Sequence, residues 1–270
     1  MEKADPSPAR VKPLPLLVLR KAHHEALAAA PMLRLPPAGD CLLLAYFFLL
    51  RPGEYSGRPR TSADDLFRVQ DIAVWIGHRR LDPLHCCTSP ELIAATFVTL
   101  TFTNQKNGVR GETIGHDRSG HPTLCPVGAL TRRLLHLRTA GAVPTTPLNA
   151  FRSSVTAPWQ FILPADVTAL LRRAERLLPP SLSDFSANDI SARSTRAGGA
   201  SMAMLCGGID SDRIRLIGRW QSDEMYRYLH VQAQPIMSGV TATMLHGGDY
   251  RLNVPPSVPL PGNPPNPSLA

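Results

Sequence analysis

The chain has 270 residues, of which 43% are hydrophobic, and its 29 Lys and Arg residues outnumber 21 Asp and Glu residues, giving a net charge of +8. No apolar run reaches the roughly 18 residues that a membrane-spanning helix needs, and the first residues, MEKADPSPARVKP, lack the apolar core of a signal peptide. We therefore expect neither a membrane protein nor a secreted one, while the basic balance permits a polyanionic partner such as nucleic acid without identifying it.

The first part of the chain predicts two helices. Residues 14–29, LPLLVLRKAHHEALAA, carry apolar side chains at helical spacing. The run CLLLAYFFLL at 41–50 is apolar on all sides, which predicts a fully buried helix. Asp40 stands where the N-cap of that helix belongs, and Pro52-Gly53 is expected to end it.

A strand-like region follows. LFRVQDIAVWIG at 66–77 and AATFVTLTF at 94–102 are rich in β-branched and aromatic residues. Asn107-Gly108 is a turn signal, and GETI at 111–114 fits a third short strand. These segments predict a small antiparallel sheet of two or three strands.

Helical patterns return after residue 124. Residues 125–138 place Pro126 in a first turn and Gly141 just beyond the end, and residues 164–178 repeat the amphipathic pattern. The predicted inward faces are Val127, Leu130, Leu134 and Leu137 on the first helix, and Val167, Leu170, Leu171, Ala174, Leu177 and Leu178 on the second. Two more helices flank Gly207-Gly208, so the predicted fold class is mainly α (α+β).

Residues 188–229, NDISARSTRAGGASMAMLCGGIDSDRIRLIGRWQSDEMYRYL, are the most informative segment. They hold Arg196 among small residues, a helix that ends at Gly218, and Tyr228 ten positions later. Together with LLRPGEY at 49–55 and a lysine after a strand, Lys106, this pattern resembles the tyrosine recombinase (integrase) family. The similarity covers roughly residues 12–235 and is closest to the retrotransposon-type branch with "RPGE … GRW.S…YL".

The resemblance implies a helical catalytic domain with a small sheet at residues 14–245. Residues 1–13 are then a flexible basic arm, and the Pro-rich residues 246–270 a disordered tail. The family usually has a separate helical DNA-clamping domain before the catalytic one, for which we expect no room here. The chain is therefore interpreted as a catalytic domain alone, a truncated element, or half of a split protein.

Cleaving a phosphodiester without metal needs a nucleophile, cations for the non-bridging oxygens, and an acid for the leaving oxygen. Arginine suits the cationic role because its planar fork pairs two phosphate oxygens and keeps its charge. The resemblance assigns that role to Arg51, with Glu54 orienting it. On its own, Arg51 is equally well explained as a cation favoured at a helix C-terminus.

Arg196 matches the family's second arginine and is the most specific short match in the chain. The resemblance places His or Lys at the position of Arg193, and His or Trp at the position of Arg219, with Trp220 beside it. Arg193 can bind phosphate but cannot shuttle a proton at neutral pH. Arg219 and Trp220 are each candidates for a phosphate contact.

By the same resemblance, Lys106 is the general acid, with Arg110 as its nearest competitor, and Tyr228 is the nucleophile. A phenol with a pKa near 10 needs neighbouring cations to ionise. Tyr226 lies on a different helical face from Tyr228, so both cannot face one phosphate. Either tyrosine could instead be a packing residue, as Lys106 could be an ordinary turn lysine.

A zinc site is the main alternative for the chain's His and Cys residues: His85, Cys86, Cys87, His116, His121 and Cys125. No CxxC pair supports it, so neither a metal nor any other cofactor is expected. The five cysteines are odd in number and three lie in helix-like segments, which is typical of reduced intracellular thiols.

The sequence thus predicts DNA strand cleavage and rejoining through a 3′-phosphotyrosine, by a homo-oligomer (a dimer or tetramer) assembled on duplex DNA in a nuclear or nucleoid compartment. The main alternative is a catalytically inactive DNA-binding or architectural protein derived from a recombinase. A type IB topoisomerase and a plain helical interaction protein are weaker alternatives.

Overall fold

A computed structural model describes residues 12–29, 35–60, 65–85, 87–103, 111–180 and 186–220. Within these ranges the helices are α1 (Leu16–Ala28), α2 (Leu35–Phe47), α3 (Pro52–Tyr55), α4 (Ser89–Ile93), α5 (Pro126–Thr139), α6 (Pro164–Arg176), α7 (Ser194–Leu205) and α8 (Ser211–Gly218). The strands are β1 (Ile72–Ile76), β2 (Arg79–Leu81), β3 (Phe97–Phe102), β4 (Glu112–Asp117), β5 (Ala150–Phe151) and β6 (Gln160–Phe161). The fold is therefore mainly α with a small antiparallel sheet, as predicted.

Helix α2 begins earlier than the sequence pattern suggests. Pro36 and Pro37 lie in its first turn, where missing N–H groups cost no helical hydrogen bond. The prediction that Asp40 is an N-cap is therefore wrong, because Asp40 lies inside the helix and is buried. Its Oδ1 instead accepts hydrogen bonds from Nε and Nη2 of Arg132 on α5, at 2.9 and 2.6 Å.

Helix α2 also ends before the predicted terminator. Its last residue is Phe47, and Leu49 then adopts a left-handed backbone with φ of 50°. Pro52-Gly53 does not end α2 but begins α3, where Pro52 occupies the first helical position. Arg51 therefore lies in the short connection between α2 and α3.

The sheet is larger than predicted. It has four antiparallel strands in the order β2-β1-β3-β4, and β5 and β6 form a separate two-stranded sheet. The segment predicted as a third strand is β4, which pairs along the whole of β3 from Phe97↔Asp117 to Phe102↔Glu112. Strand β2 escaped prediction because its sequence, Arg-Arg-Leu, is short and polar.

Helices α5 and α6 lie where their periodicity places them. All four residues of the predicted face of α5 are buried, and Gly141 follows the helix with φ of 73°. On α6 the prediction fails at Leu177, which follows the last helical turn and is 50% exposed. The structure also describes no helix that is long and apolar enough to cross a membrane.

Candidate active site

The turn at Arg51 brings an arginine and a carboxylate together through local backbone geometry. Arg51 is the N-cap of α3, and Glu54 is its third helical residue. The Glu54 carboxylate accepts the Arg51 backbone N–H at 2.7 Å, and its other oxygen lies 3.4 Å from Nη1 of Arg51. The three-residue spacing thus reflects a cap, and the Arg51 side chain remains 27% exposed.

Glu54 also binds a second arginine from far along the chain. Nη2 of Arg219 donates to Oε2 of Glu54 at 2.9 Å, and both side chains are 2% exposed. The carboxylate oxygen that accepts the Arg51 backbone N–H is therefore the same one that accepts from Arg219. This buried ion pair joins the end of α8 to the turn after α2.

Arg219 faces the interior because its backbone is left-handed, with φ of 56° and ψ of 42°. Nη1 donates to the carbonyl oxygens of Phe48 at 3.3 Å and Ile217 at 3.0 Å. The guanidinium carbon also lies 3.7 Å from the ring centroid of Phe102. Burial lowers the pKa of Arg219, and the Glu54 carboxylate opposes that change.

Arg196 lies on the first turn of α7 and is also buried. Its Nη2 donates to the carbonyl oxygen of Gly218 at the end of α8. Its guanidinium carbon lies 4.2 Å from the ring centroid of Trp220. Trp220 is 8% exposed and belongs to a small apolar cluster with Leu49 and Ile214. Arg196 and the end of α8 therefore hold each other in place.

Gly198 and Gly199 allow α7 to approach its neighbours closely. A Cβ at position 198 would collide with the backbone of Leu14, and one at 199 with the carbonyl oxygen of Tyr46. The Leu14 N–H also donates to the carbonyl oxygen of Ser194 at 2.9 Å. The small residues after Arg196 thus allow α7 to pack closely against Leu14 and the end of α2.

Five of the predicted site residues lie in one connected set, the arginine cluster: Arg51, Glu54, Arg196, Arg219 and Trp220. Arg193 is exposed at the start of α7, one turn before Arg196. Lys106 and Tyr228, with their competitors Arg110 and Tyr226, lie outside the described residues. Sequence reasoning missed Phe48 and Phe102 as neighbours of Arg219, and their apolar contexts gave no signal.

The two tyrosines in the described ranges are poorly suited to act as nucleophiles. Tyr46 and Tyr55 are both buried, and burial raises the pKa of each phenol. The Tyr55 hydroxyl donates to the carbonyl oxygen of Ala192 at 3.0 Å. A nucleophilic phenol needs access to the phosphate and a lowered pKa.

The His and Cys residues of the zinc alternative have other surroundings. His116 packs against Phe48 with ring centroids 4.5 Å apart, and burial lowers its pKa. His121 accepts backbone N–H groups through Nδ1, and Cys125 accepts the Gly128 N–H at the start of α5. Across the described ranges, no three His, Cys, Asp or Glu residues are grouped to hold a metal. Cys86 lies outside those ranges.

The sequence matches no protein-family model and no curated protein. The fold is similar to that of XerH, a site-specific recombinase solved with a palindromic difH substrate in a post-cleavage complex. The TM-score is 0.53 at 11% sequence identity, over 87% of this chain and 54% of that one. The chain thus spans about half the length of the solved chain that it matches. At this identity the likeness establishes a shared fold.

Proposed function

We propose that this chain is a tyrosine recombinase catalytic domain that breaks and rejoins duplex DNA through a 3′-phosphotyrosine. One observation carries the proposal. Three segments far apart in sequence, at 51–54, 196 and 218–220, meet in the arginine cluster. The sequence resemblance identifies these same segments as the phosphate site, and the fold is similar to that of a site-specific recombinase.

In the proposed reaction, the Tyr228 oxygen attacks the scissile phosphorus and its phenolic proton passes to water. The bond from phosphorus to the 5′ oxygen breaks, and Lys106 protonates that leaving oxygen. Arg51 and Arg196 neutralise charge on the non-bridging oxygens, and the exposed Arg193 adds positive charge at the same end of α7. The phosphotyrosine conserves the energy of the broken bond, so rejoining needs no ATP.

Tyr228 is preferred as nucleophile on two grounds. It lies ten positions after Gly218, whose carbonyl oxygen is hydrogen-bonded to Arg196. Of the alternatives within the described ranges, Tyr46 and Tyr55 are buried with raised pKa values. In this proposal, the eight positions that separate Tyr228 from Trp220 let the nucleophile reach the same phosphate as the arginine cluster.

The partners and setting belong to the same proposal. Recombination joins two DNA sites, so we propose that several copies of the chain assemble on duplex DNA. The "RPGE" and "GRW" motifs favour an enzyme of the retrotransposon-type branch, which integrates a mobile element in a nuclear or nucleoid compartment. The chain's net charge of +8 supports a DNA partner.

A covalent trap tests the proposed function without knowledge of the target site. The chain is incubated with a pool of randomised duplexes carrying nicks, so that a short 5′-hydroxyl fragment diffuses away after cleavage. Wild type should accumulate protein–DNA adducts that survive denaturant. Tyr228→Phe should abolish them, whereas the matched control Tyr226→Phe should retain them. An undiminished adduct in Tyr228→Phe would dismiss the assignment.

A second candidate, a DNA-binding protein without catalysis, is favoured by the burial of two site arginines. Arg219 is neutralised by Glu54, and Arg196 is 4% exposed. This function predicts DNA binding whose log affinity falls linearly with log salt, with no covalent species on any substrate. Binding of the randomised pool without adduct formation would decide in its favour.

A further inference from the structure

We propose that Arg219 is a positioning residue that does not touch the phosphate, and that its buried ion pair with Glu54 locks the Arg51 turn to the end of α8. This inference rests on the proposed function, because it concerns the same site. It separates Arg219 from the arginines that meet DNA, although the sequence resemblance places it in a phosphate-contacting position.

The contacts of Arg219 hold its guanidinium inside the fold. Nη2 is used by Glu54, and Nη1 by the carbonyl oxygens of Phe48 and Ile217. One face of the group lies 3.7 Å from the centre of the Phe102 ring. Arg196 is about as buried as Arg219, at 4% against 5% exposure, so burial alone does not separate them. What sets Arg219 apart is that its charge is already neutralised by the Glu54 carboxylate at 2.9 Å.

The Glu54 carboxylate, the other member of the ion pair, is also fully used inside the fold. Glu54 is 2% exposed and binds the backbone N–H of Arg51 as well as Arg219. Because a buried charge without its partner is strongly unfavourable, the two segments are held at a fixed separation. The Arg51 turn therefore cannot move independently of residue 219.

The neighbours of Arg219 extend this connection to the second phosphate-binding arginine. Gly218 accepts the Arg196 hydrogen bond through its carbonyl, and the Trp220 ring covers the Arg196 guanidinium. Gly218 and Trp220 thus both contact Arg196, and Arg219 between them contacts Glu54. The ion pair aligns Arg51 with Arg196 and contributes no net charge to the DNA-binding surface.

The salt dependence of DNA binding distinguishes positioning from contact. Each phosphate contact contributes about 0.9 to the slope of log affinity against log salt. The decisive variant is Glu54→Gln/Arg219→Gln, which removes both buried charges and leaves the net charge of the chain unchanged. We expect its slope to equal that of wild type, whereas the control Arg51→Gln should lose about 0.9. A loss of about 0.9 in the double variant would overturn the proposal.

The rate of adduct formation supplies the second readout. Misplacement of a catalytic group by about 1 Å costs roughly a hundredfold in rate. The double variant should therefore form adducts about a hundredfold more slowly at saturating DNA, with affinity within about threefold of wild type. An unchanged rate at saturating DNA would show that the pair positions nothing. If wild type binds DNA without forming adducts, catalysis fails as a proposal, and the salt slopes still decide whether Arg219 meets phosphate.

Folding defects are controlled by comparing the single and double variants. Arg219→Gln leaves the buried Glu54 carboxylate without its closest cation, so it should raise the unfolding equilibrium constant by about a hundredfold or more. The double variant also removes the Glu54 charge and should lose less stability than Arg219→Gln alone. Equal or greater loss in the double variant would contradict a mutual ion pair.

Discussion

The indole of Trp220 covers the guanidinium of Arg196, with 4.2 Å between the guanidinium carbon and the ring centroid. Trp220 is two residues beyond the last residue of α8, and Arg196 is on the first turn of α7. The contact therefore joins α7 to the residues that follow α8, and it fixes the direction of a buried arginine. A stacked cation of this kind contributes about 0.5–2 kcal/mol.

Replacing Trp220 with Leu should destabilise the fold by about 1–3 kcal/mol, because both the stacking and part of the apolar burial are lost. Denaturant unfolding measures this change. Trp159→Leu is a matched control, since Trp159 also lies 4.2 Å from an arginine, Arg152, remote in sequence from the arginine cluster. Both variants should lose stability, but Trp220→Leu alone should slow adduct formation. Equal slowing in both would argue against a site-specific role.

Arg196→Lys retains the positive charge but loses the planar fork that binds Gly218 and stacks on Trp220. We expect adduct formation to fall by about a hundredfold, the usual effect of losing one oriented donor at a developing charge. Arg213→Lys is the control, because the Arg213 side chain is 76% exposed. Rates are compared at saturating DNA. An Arg196→Lys rate within threefold of wild type would contradict the assignment.

Gly199→Ala should destabilise the chain by about 1–3 kcal/mol, or more if α7 cannot shift, because overpacking forces backbone movement. The new Cβ would collide with the Tyr46 carbonyl oxygen and lie 2.7 Å from Cδ2 of Leu49. Gly53→Ala is the control, since a Cβ at that position meets nothing within 4 Å. Its stability should be unchanged or slightly increased. Thermal unfolding of the two variants decides the prediction.

His136 should make stability depend on pH in the acid range. Burial, followed by the nearby charge of Arg133, lowers the pKa of His136 from 6.5 to about 4. Between these values the unfolded chain binds the proton more readily, so stability is complete above pH 6.5 and falls as pH drops towards 4. A His136→Gln variant should show a smaller fall than wild type across that window. The exposed His78→Gln control should follow wild type.

Periodicity predicted the elements that bury one face. Helices α1, α5 and α6 lie where apolar spacing placed them. The predicted inward residues of α5 and α6 are buried apart from Leu177, which is exposed, and Leu178, which is half-buried. The start of α2 could not be predicted in the same way, because Pro36 and Pro37 are more typical of a residue run that interrupts a helix. Strands β5 and β6 have two residues each, too few for an alternating pattern.

The sequence motifs indicated which residues meet in the arginine cluster but not how they are arranged, and Lys106 and Tyr228 lie outside the described residues. The sequence motifs predicted that Arg51, Glu54 and Arg196 belong to one site, and the fold places them in one connected cluster. The orientation of Arg219 follows from its left-handed backbone conformation. This conformation is uncommon for a residue other than glycine, and the local sequence does not predict it. Sequence alone therefore grouped it with the phosphate ligands.

The close packing of Leu14 against Gly198 has a mechanical consequence. The backbone of Leu14 donates to Ser194 and lies against the helix that carries Arg196, only two residues before α1 begins. Leu14 is itself part of the main hydrophobic core, so a displacement of the backbone here would reach α7 both through the Ser194 hydrogen bond and through the packing on Gly198. The position of the helix that carries Arg196 is thus mechanically coupled to the backbone two residues before α1.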